Sequence, residues 1–172
     1  ITKPAASVTP NPASKTYGAA DPPLTGTLAG FLVADGVSAT YTRTAGGTVA
    51  GSPYTISATL APAGVLGNYT ITYNTANFAI LKAGQTITFA GPGNQTLGVP
   101  PNNQITLSAT STSALPVTFS AAPPAICTVS GATLTMVAAG SCTITASQAG
   151  DANFNAAANV PVTITISSAD VA

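Results

Sequence analysis

The sequence predicts an all-β protein built of two small β-domains in tandem, and three observations support this prediction. Short runs with apolar or β-branched residues at every second position recur through the chain. Pro- and Gly-rich segments separate these runs at intervals of about ten residues, as in β-sandwiches and β-barrels. No segment keeps a 3.6-residue apolar period for long enough to form an ordinary helix, so we expect at most one short helix or turn, around residues 30–36.

The alternating runs define the expected strands in chain order. In the first half they are SATYTRT (38–44), YTISATL (54–60), NYTITYN (68–74) and FAIL (78–81). In the second half they are QTITF (85–89), QITLSAT (104–110), PVTFS (116–120), ATLTMV (132–137), SCTITAS (141–147) and VPVTITIS (160–167). Segments such as DPPLTG, AGGTVAGSP, APAGVLGN and GPGNQ are predicted turns, because Pro fixes φ and Gly tolerates positive φ.

A domain boundary is predicted within ILKAGQTITF, which gives domains at residues 1–83 and 84–172. Only the three residues KAG separate the two flanking strands, so we expect a restricted relative pose, unlike that of a flexible Gly/Ser tether. The opening ITKPA resembles ILKAG, the exit of the first domain. We therefore interpret residues 1–5 as the tail of a preceding module in a tandem array.

The charge composition argues against an enzyme. Charged residues make up 5% of the chain, against about 25% in typical soluble domains, and there is no His, Trp or Glu. General acid–base chemistry usually needs a His or a carboxylate pair with tuned pKa values. The only acids are Asp21, Asp35, Asp151 and Asp170, and they form no recognisable catalytic set. A chain with zero net charge also has no electrostatic attraction for nucleic acid or for an anionic membrane.

The polar surface must come from Thr, Ser and Asn, a composition typical of secreted and cell-surface proteins. No apolar run approaches the roughly 20 residues of a membrane helix. The opening ITKPAASVTP lacks the apolar core of a signal peptide. We interpret the chain as a segment of a longer exported protein.

The two cysteines, Cys127 and Cys142, are the one candidate covalent site. Two Cys without His cannot complete a zinc site of four protein ligands, and fourteen intervening residues do not match a C-x-x-C motif. Alternation places Cys142 on the same apolar face as Ile144, and Cys127 on the same face as Val129. A buried disulfide is expected, which favours an oxidising compartment. Two reduced core thiols in contact, or a redox pair, are the alternatives.

The segment QAGDANFNAA places Asp151, Asn153 and Asn155 at alternate positions, as a calcium loop would. Such a loop also needs a bidentate acid, and the chain has no Glu. We therefore expect a tight turn at Gly150 and Asp151, with Phe154 folded back on the core. A weak structural cation is the alternative.

The remaining charges have structural interpretations. Asp21 and Asp35 lie in the turn segments DPPL and ADGV, where we expect them to cap turns. The lysines Lys3, Lys15 and Lys82 are expected to be unpaired.

All five tyrosines lie in the first domain. Alternation places Tyr69, Ile71 and Tyr73 on one strand face, where we expect core packing. An aromatic platform for a glycan is the alternative.

The motifs KTYGAADPPLTG, SATYTRTAGGTV, GSPYTISATL and GNYTITYNTANFAILKA resemble the MBG-type module of bacterial surface proteins, over residues 15–82. The resemblance implies a β-grasp-like fold within a large adhesin-like protein. Ala19 and Ala20 replace the acidic residue that usually follows the Tyr-Gly pair. This departure argues against a cation role for the loop.

The motifs GQTITFAGPGNQTLG, LPVTFS and CTVSGATLTMVAAGSCTITASQAGDANFNAA, within residues 84–167, resemble a bacterial immunoglobulin-like repeat. That resemblance implies an immunoglobulin-like β-sandwich. Together the two resemblances imply a non-enzymatic stalk or adhesin segment of a secreted or cell-surface bacterial tandem-repeat protein. The expected partners are neighbouring modules of the same chain, like chains, or surface glycans and proteins, with no nucleic acid and no membrane insertion. No cofactor and no metal are expected.

Two alternative functions follow from the same residues. The chain could be the repeating subunit of an extracellular filament or sheath, in which an edge strand such as VPVTITIS pairs with a neighbouring chain. It could instead be a carbohydrate-binding module, which requires exposed coplanar tyrosines.

Overall fold

The computed structural model describes residues 2–100 and 102–169, so Ile1 and Asp170 lie outside the described residues. Strands dominate both halves, which confirms the all-β class. The chain divides into two compact units, Ile1–Ala83 and Gly84–Ala172, called unit 1 and unit 2 below.

Unit 1 is built from two mixed sheets. Its described strands are β1 (Ala5–Pro10), β2 (Ala13–Thr16), β3 (Gly26–Ala29), β4 (Ser38–Arg43), β5 (Tyr54–Ala61), β6 (Thr70–Tyr73) and β7 (Ala76–Leu81). One sheet has the order β3-β1-β6, with β1 antiparallel to β3 and parallel to β6. The other has the order β2-β7-β5-β4, with β2 parallel to β7 and the other neighbours antiparallel. Tyr54, Ile56, Phe78 and Ile80 form a buried cluster in this second sheet.

The first strands of unit 1 come from a segment in which no strand was predicted. Only Asn11 and Pro12 separate β1 from β2, so the chain passes from one sheet to the other within two residues. Val8, in the middle of β1, is completely buried. The Pro4 carbonyl accepts a hydrogen bond from the Thr70 N–H (2.9 Å). Residues 1–5, which we interpreted as the tail of a preceding module, are therefore bonded through Pro4 to the first residue of β6.

Helical structure is minor in the described chain. A 3-10 turn occupies Val33–Asp35, where a short helix or turn was predicted. A single α-helical turn, α1 (Ala63–Leu66), lies in the segment APAGVLGN, which was predicted as a non-helical turn. Neither element contributes a buried residue, so strands form the core of unit 1.

Unit 2 contains two larger sheets and one short strand pair. Its described strands are β8 (Ile87–Thr88), β9 (Gln95–Thr96), β10 (Gln104–Thr106), β11 (Thr110–Ser111), β12 (Thr118–Ala122), β13 (Cys127–Ser130), β14 (Thr133–Met136), β15 (Gly140–Ser147) and β16 (Val160–Ser167). The sheets have the orders β10-β14-β13 and β12-β15-β16-β9, and β11 pairs with β8. Leu134 of β14 and Ile144 of β15 are completely buried and belong to one continuous core.

The strand VPVTITIS (β16) was expected at a sheet edge, but it has a neighbouring strand on each side, β15 and β9. β16 pairs with β15 over Val160–Ile166 and with β9 at its end. The segment 91–94 covers part of the remaining side. There the Asn94 Oδ1 accepts the Thr165 N–H (2.9 Å). A Cβ on Gly91 would come within 2.5 Å of Val162, so only glycine fits this close approach.

Candidate functional site

The two cysteines lie on opposite sheets of unit 2 and form a disulfide. Cys127 starts β13 in the three-stranded sheet, and Cys142 lies in β15 of the four-stranded sheet. Their Cα atoms are 6.0 Å apart, within the usual range for bridged cysteines. Both side chains are completely buried. The bond therefore ties the two sheets together through the core.

Local sequence explains this position. The ladder between β13 and β14 places Cys127 opposite Met136 on the inner face. The chain then crosses to the other sheet, and the Ile126 carbonyl accepts the Val137 N–H (2.8 Å) at the start of the crossing. Cys142 enters the core with Ile144, as alternation predicts. Because both sulfur atoms are buried, an external thiol reaches them only when unit 2 opens.

A second feature of unit 2, which the sequence analysis missed, is a buried pair of glutamines. Gln85 and Gln148 are each 9% exposed. The Gln85 Nε2 donates to the Gln148 Oε1 (2.9 Å) and to the Asn155 carbonyl (2.7 Å). The Ser113 hydroxyl donates to the Gln85 Oε1. The Gln85 side chain therefore joins three separate segments of unit 2.

Gln148 extends the same network. Its Nε2 donates to the Pro116 carbonyl (3.2 Å), and its Oε1 also accepts the Gly150 N–H. The signal for this pair was present in the sequence. Gln148 follows Ile144 in the inward alternation of SCTITASQ, and Gln85 precedes Ile87 in the inward alternation of QTITF.

The segment QAGDANFNAA forms a turn around Asp151. The Asp151 Oδ1 accepts the N–H groups of Asn153 and Phe154, both at 2.8 Å. The Asp151 N–H donates to the Phe154 carbonyl (3.1 Å). The turn interpretation therefore agrees with the structure. Among residues 2–100 and 102–169, no three His, Cys, Asp or Glu side chains lie together as metal ligands would.

In unit 1 the charged residues form a cluster that corrects two expectations. Arg43 and Asp21 make a two-pronged ion pair, Nε to Oδ2 at 2.6 Å and Nη2 to Oδ1 at 3.1 Å. The Lys15 Nζ lies 2.7 Å from the Asp21 Oδ1. Lys15 is therefore paired, and Asp21 binds two cations instead of capping a turn. The hydrogen bond from Arg43, followed by that from Lys15, lowers the pKa of Asp21 to about 2.

Arg43 also organises the segment AGGTVAGSP. Its guanidinium lies over the rings of Phe78 (4.6 Å) and Tyr54 (5.2 Å). Its Nη1 donates to the Gly46 carbonyl (2.7 Å). The Tyr54 hydroxyl donates to the Thr48 carbonyl (3.0 Å) and accepts the Thr48 N–H (3.1 Å). These polar groups bind the protein's own loop, so the cluster is structural.

Tyr69 anchors the connection between β3 and β4. Its hydroxyl accepts the Leu32 N–H (3.0 Å) and donates to the Asp35 carboxylate, which raises the pKa of Tyr69. The ring packs edge-on against Phe31 with centroids 5.0 Å apart. Asp35 therefore holds a tyrosine from another strand region, whereas a turn cap was predicted.

Tyr69 and Tyr73 have different environments. Tyr69 is buried, in agreement with core packing, but Tyr73 is 52% exposed, so core packing was wrong for Tyr73. β6 is an edge strand, and Tyr73 is its last residue. Of the five tyrosines, Tyr73 is the one that is more than half exposed.

The described surface clefts are shallow, and few titratable side chains line them. The largest one described, about 490 Å³, is lined in unit 2 by Leu97, Gly98, Val99, Asn102, Ser168 and Ala169, and includes no titratable side chain. In the part of the chain that the structure describes, no helix has the length and apolar character needed to cross a membrane.

Comparison with known proteins places one family match in unit 1. Residues 6–79 match the MBG domain of the YGX type. The MBG match begins within β1, which the sequence analysis did not predict as a strand, and ends within β7. It includes the Tyr17–Gly18 pair and the Asp21–Arg43 ion pair. No curated protein sequence matches the chain.

Among solved structures, the chain is similar to Sidekick-1 immunoglobulin domains 1-4, with 14% identity and a TM-score of 0.42. That alignment covers 98% of this chain and 49% of the solved one. Drosophila N-cadherin EC1-4 aligns with 11% identity and a TM-score of 0.39, covering 99% of this chain and 52% of the solved one. The chain thus spans about half the length of these structures.

Proposed function

We propose that this chain is a non-enzymatic structural or adhesive module of an exported bacterial tandem-repeat protein, used as a stalk or adhesin segment. The observation that carries the proposal is the Cys127–Cys142 disulfide, which ties the two sheets of unit 2 through their core. Disulfides of this structural kind form and persist in oxidising compartments. Unit 2 is then an immunoglobulin-like repeat, since two sheets joined by a core disulfide are a feature of immunoglobulin-type sandwiches.

The polar contacts support the same proposal. Asp21, Arg43 and Tyr54 bind loop backbone and one another, and Gln85 and Gln148 bind segments of unit 2. In each case the charged or amide side chain forms its hydrogen bonds with other residues of this chain. The MBG match of unit 1 agrees with the resemblance to bacterial surface modules.

The sheet topology supplies a mechanism for resisting extension. β2 runs parallel to β7 from Ala13 opposite Phe78 to Thr16 opposite Leu81. One strand lies near the start of unit 1 and the other at its end, so tension along the chain pulls the two strands past each other. All hydrogen bonds of a parallel ladder then carry the load together. β9 and β16 form a shorter parallel pair in unit 2, with the Leu97 N–H donating to the Ser167 carbonyl (2.8 Å).

The two alternative functions gain no specific support. Pairing of VPVTITIS with another chain requires an open edge. β15 occupies one side of β16, and β9 with Asn94 occupies part of the other side, at Thr165–Ser167. A glycan platform requires coplanar exposed tyrosines, and Tyr73 alone is more than half exposed.

Alkylation followed by mass spectrometry tests the disulfide that supports the proposed compartment. The chain is secreted to the periplasm of a bacterial host, denatured, and treated with iodoacetamide before and after reduction. We expect no modification of Cys127 or Cys142 without reductant, and modification of both after reduction. Alkylation of both thiols without reductant would remove the main support for an exported module.

Sedimentation and glycan arrays test the alternatives. A stalk or adhesin segment stays at a low, finite mass as the concentration rises, whereas a filament subunit continues to grow. Specific binding across a polysaccharide array, lost in Tyr73→Ala, would favour the carbohydrate-binding module instead.

A further inference from the structure

Three charged residues connect the two outer strands of the four-stranded sheet of unit 1. That sheet has the order β2-β7-β5-β4, so β2 and β4 are its outer strands. Lys15 lies in β2, Arg43 is the last residue of β4, and both bind the carboxylate of Asp21. We call Lys15, Asp21 and Arg43 the ion-pair latch. Backbone hydrogen bonds join each strand to its neighbours, whereas the latch joins β2 to β4 across the sheet.

The Arg43 side chain lies across the two inner strands. Its guanidinium is 4.6 Å from the ring centroid of Phe78 in β7 and 5.2 Å from that of Tyr54 in β5. Tyr54 and Phe78 are directly opposite each other in their ladder, and Ala13 of β2 is opposite Phe78. Arg43 therefore extends from β4 over β5 and β7, where it meets Asp21 beside β2.

The burial of the two cations makes the ion-pair latch costly to separate. The side chains of Lys15 and Arg43 are each 13% exposed, and that of Asp21 is 37% exposed. Isolated surface ion pairs contribute little to stability, but two-pronged arginine–carboxylate pairs within a network are an exception. Removal of Asp21 from this position leaves two mostly buried cations without an anion, which is unfavourable.

Tension along the chain acts on the pairing of β2 with β7. Lys15 lies opposite Ile80 within this parallel ladder. If β2 slides along β7, Lys15 moves with β2, whereas Asp21 is bound to Arg43 of β4. Sliding of β2 therefore requires the ion pair of Asp21 with Lys15, or that with Arg43, to break.

We propose that the ion-pair latch sets the force at which unit 1 extends, and that this force falls as the ionic strength rises. The Debye length decreases from about 10 Å at 0.1 M salt to about 3 Å at 1 M, and the exposed part of Asp21 is accessible to dissolved ions. Unit 2 cannot form an ion pair among its own side chains, because all basic residues lie in unit 1. The inference rests on the proposed structural role and identifies ionic strength as its regulator.

Force-clamp spectroscopy of the whole chain, pulled from its two ends, tests the inference. Reduction identifies the event of unit 2, because the disulfide lies in that unit. We expect Asp21→Asn and Lys15→Gln to unfold unit 1 roughly tenfold faster than the parent at the same force, since each loses a charge-assisted hydrogen bond. Lys3→Gln is the matched control. It removes the same charge from an exposed lysine outside the latch, and unit 1 should unfold at the parent rate.

A second pulling direction separates resistance to force from general stability. Gly64→Cys supplies an attachment point, because a Cβ at this position would have no atom within 4 Å. Pulling from residue 64 and the C-terminus leaves β2, β4 and Asp21 outside the stretch of chain between the two attachment points. We expect Asp21→Asn to unfold unit 1 at the parent rate in this direction. A residue that only stabilises the fold would change the rate in both directions.

Salt provides the third measurement. Between about 0.1 M and 1 M NaCl, unfolding of unit 1 at a fixed force should become faster in the parent chain and stay constant in Asp21→Asn. The event of unit 2 serves as an internal control in the same molecule, and its rate should not follow that of unit 1.

Three results would overturn the inference: equal unfolding rates of unit 1 in the parent, Asp21→Asn and Lys15→Gln, equal acceleration by Asp21→Asn in both pulling directions, or a parent chain that does not respond to salt. Each leaves the proposed structural role intact if the parent still unfolds in two discrete events. Smooth extension of the parent would contradict the structural role itself. If Asp21→Asn does not fold, Lys15→Gln decides the outcome, because it leaves the pair between Asp21 and Arg43 in place.

Discussion

The ion pair between Asp21 and Arg43 makes the stability of unit 1 depend on pH. The Asp21 pKa is about 2 in the folded chain, against an ordinary value of 3.8. Because the folded pKa is the lower one, the contribution is fully present above about pH 4 and is lost as the pH falls to about 2. We expect the unfolding temperature of unit 1 to fall over this range, and to fall less in Asp21→Asn.

Tyrosine fluorescence measures this prediction, because all five tyrosines belong to unit 1 and the chain has no Trp. At pH 6 the Asp21→Asn chain should unfold at a lower temperature than the parent. Identical pH profiles for the two chains would show that Asp21 does not carry the dependence.

The buried glutamines supply a second prediction for single residues. Gln148→Ala removes the acceptor of the Gly150 N–H and the donor to the Pro116 carbonyl. Leaving such buried groups without partners costs about 1–3 kcal/mol, so chemical denaturation should show unit 2 less stable by this amount. Gln104→Ala is the control. Gln104 is exposed, so its replacement should change stability by no more than about 0.5 kcal/mol. Equal effects in both variants would contradict a structural role for the pair.

Individual side-chain environments could be predicted only where alternation decides them. Cys142 and Ile144 point inward as their positions in SCTITAS require. The partners of Arg43 and Asp35 could not be predicted, because Arg43 and Asp21 are 22 residues apart and Tyr69 and Asp35 are 34 apart. Such pairs form when tertiary packing brings strands together, and a single sequence contains no local signal for them.

At the scale of elements, the disulfide contributes most of its stabilisation through the unfolded chain. It closes a loop with a sequence separation of 15, which corresponds to roughly 3 kcal/mol in the chain-entropy model. Cys127→Ala combined with Cys142→Ala should therefore lower the free energy of unfolding of unit 2 by about this amount. Calorimetry should show a shifted transition for unit 2 while the tyrosine fluorescence transition of unit 1 is unchanged. A shifted unfolding transition for unit 1, or an unshifted one for unit 2, would contradict the claim that the disulfide stabilises unit 2.

Strands with clear alternation were predictable, and strands without it were not. SATYTRT and YTISATL became β4 and β5, with boundaries within one residue. AASVTP became β1 although Val8 is its only strongly β-favouring apolar residue. β1 forms because β3 and β6 pair with it on both sides and Val8 is buried between the sheets. Tertiary context outweighs local propensity there.

At the scale of the whole molecule, the distribution of basic residues predicts a simple digestion pattern. Lys3, Lys15, Arg43 and Lys82 all precede residue 83, so unit 2 offers trypsin no site. Lys15 and Arg43 lie in strands and bind Asp21, whereas Lys82 is exposed after β7. Limited trypsin treatment of the native chain should therefore yield an intact fragment that begins at Ala83. Simultaneous cleavage at Arg43 would contradict a stable unit 1.

The central claim is that the chain resists extension, and single-molecule force spectroscopy tests it most directly. We expect two discrete unfolding events when the chain is pulled from its ends. Reduction should increase the chain length released when unit 2 unfolds by about 50 Å. The disulfide closes a loop with a sequence separation of 15, and each residue freed from that loop adds roughly 3.3–3.6 Å. Smooth extension without discrete events, or equal lengths before and after reduction, would contradict the account.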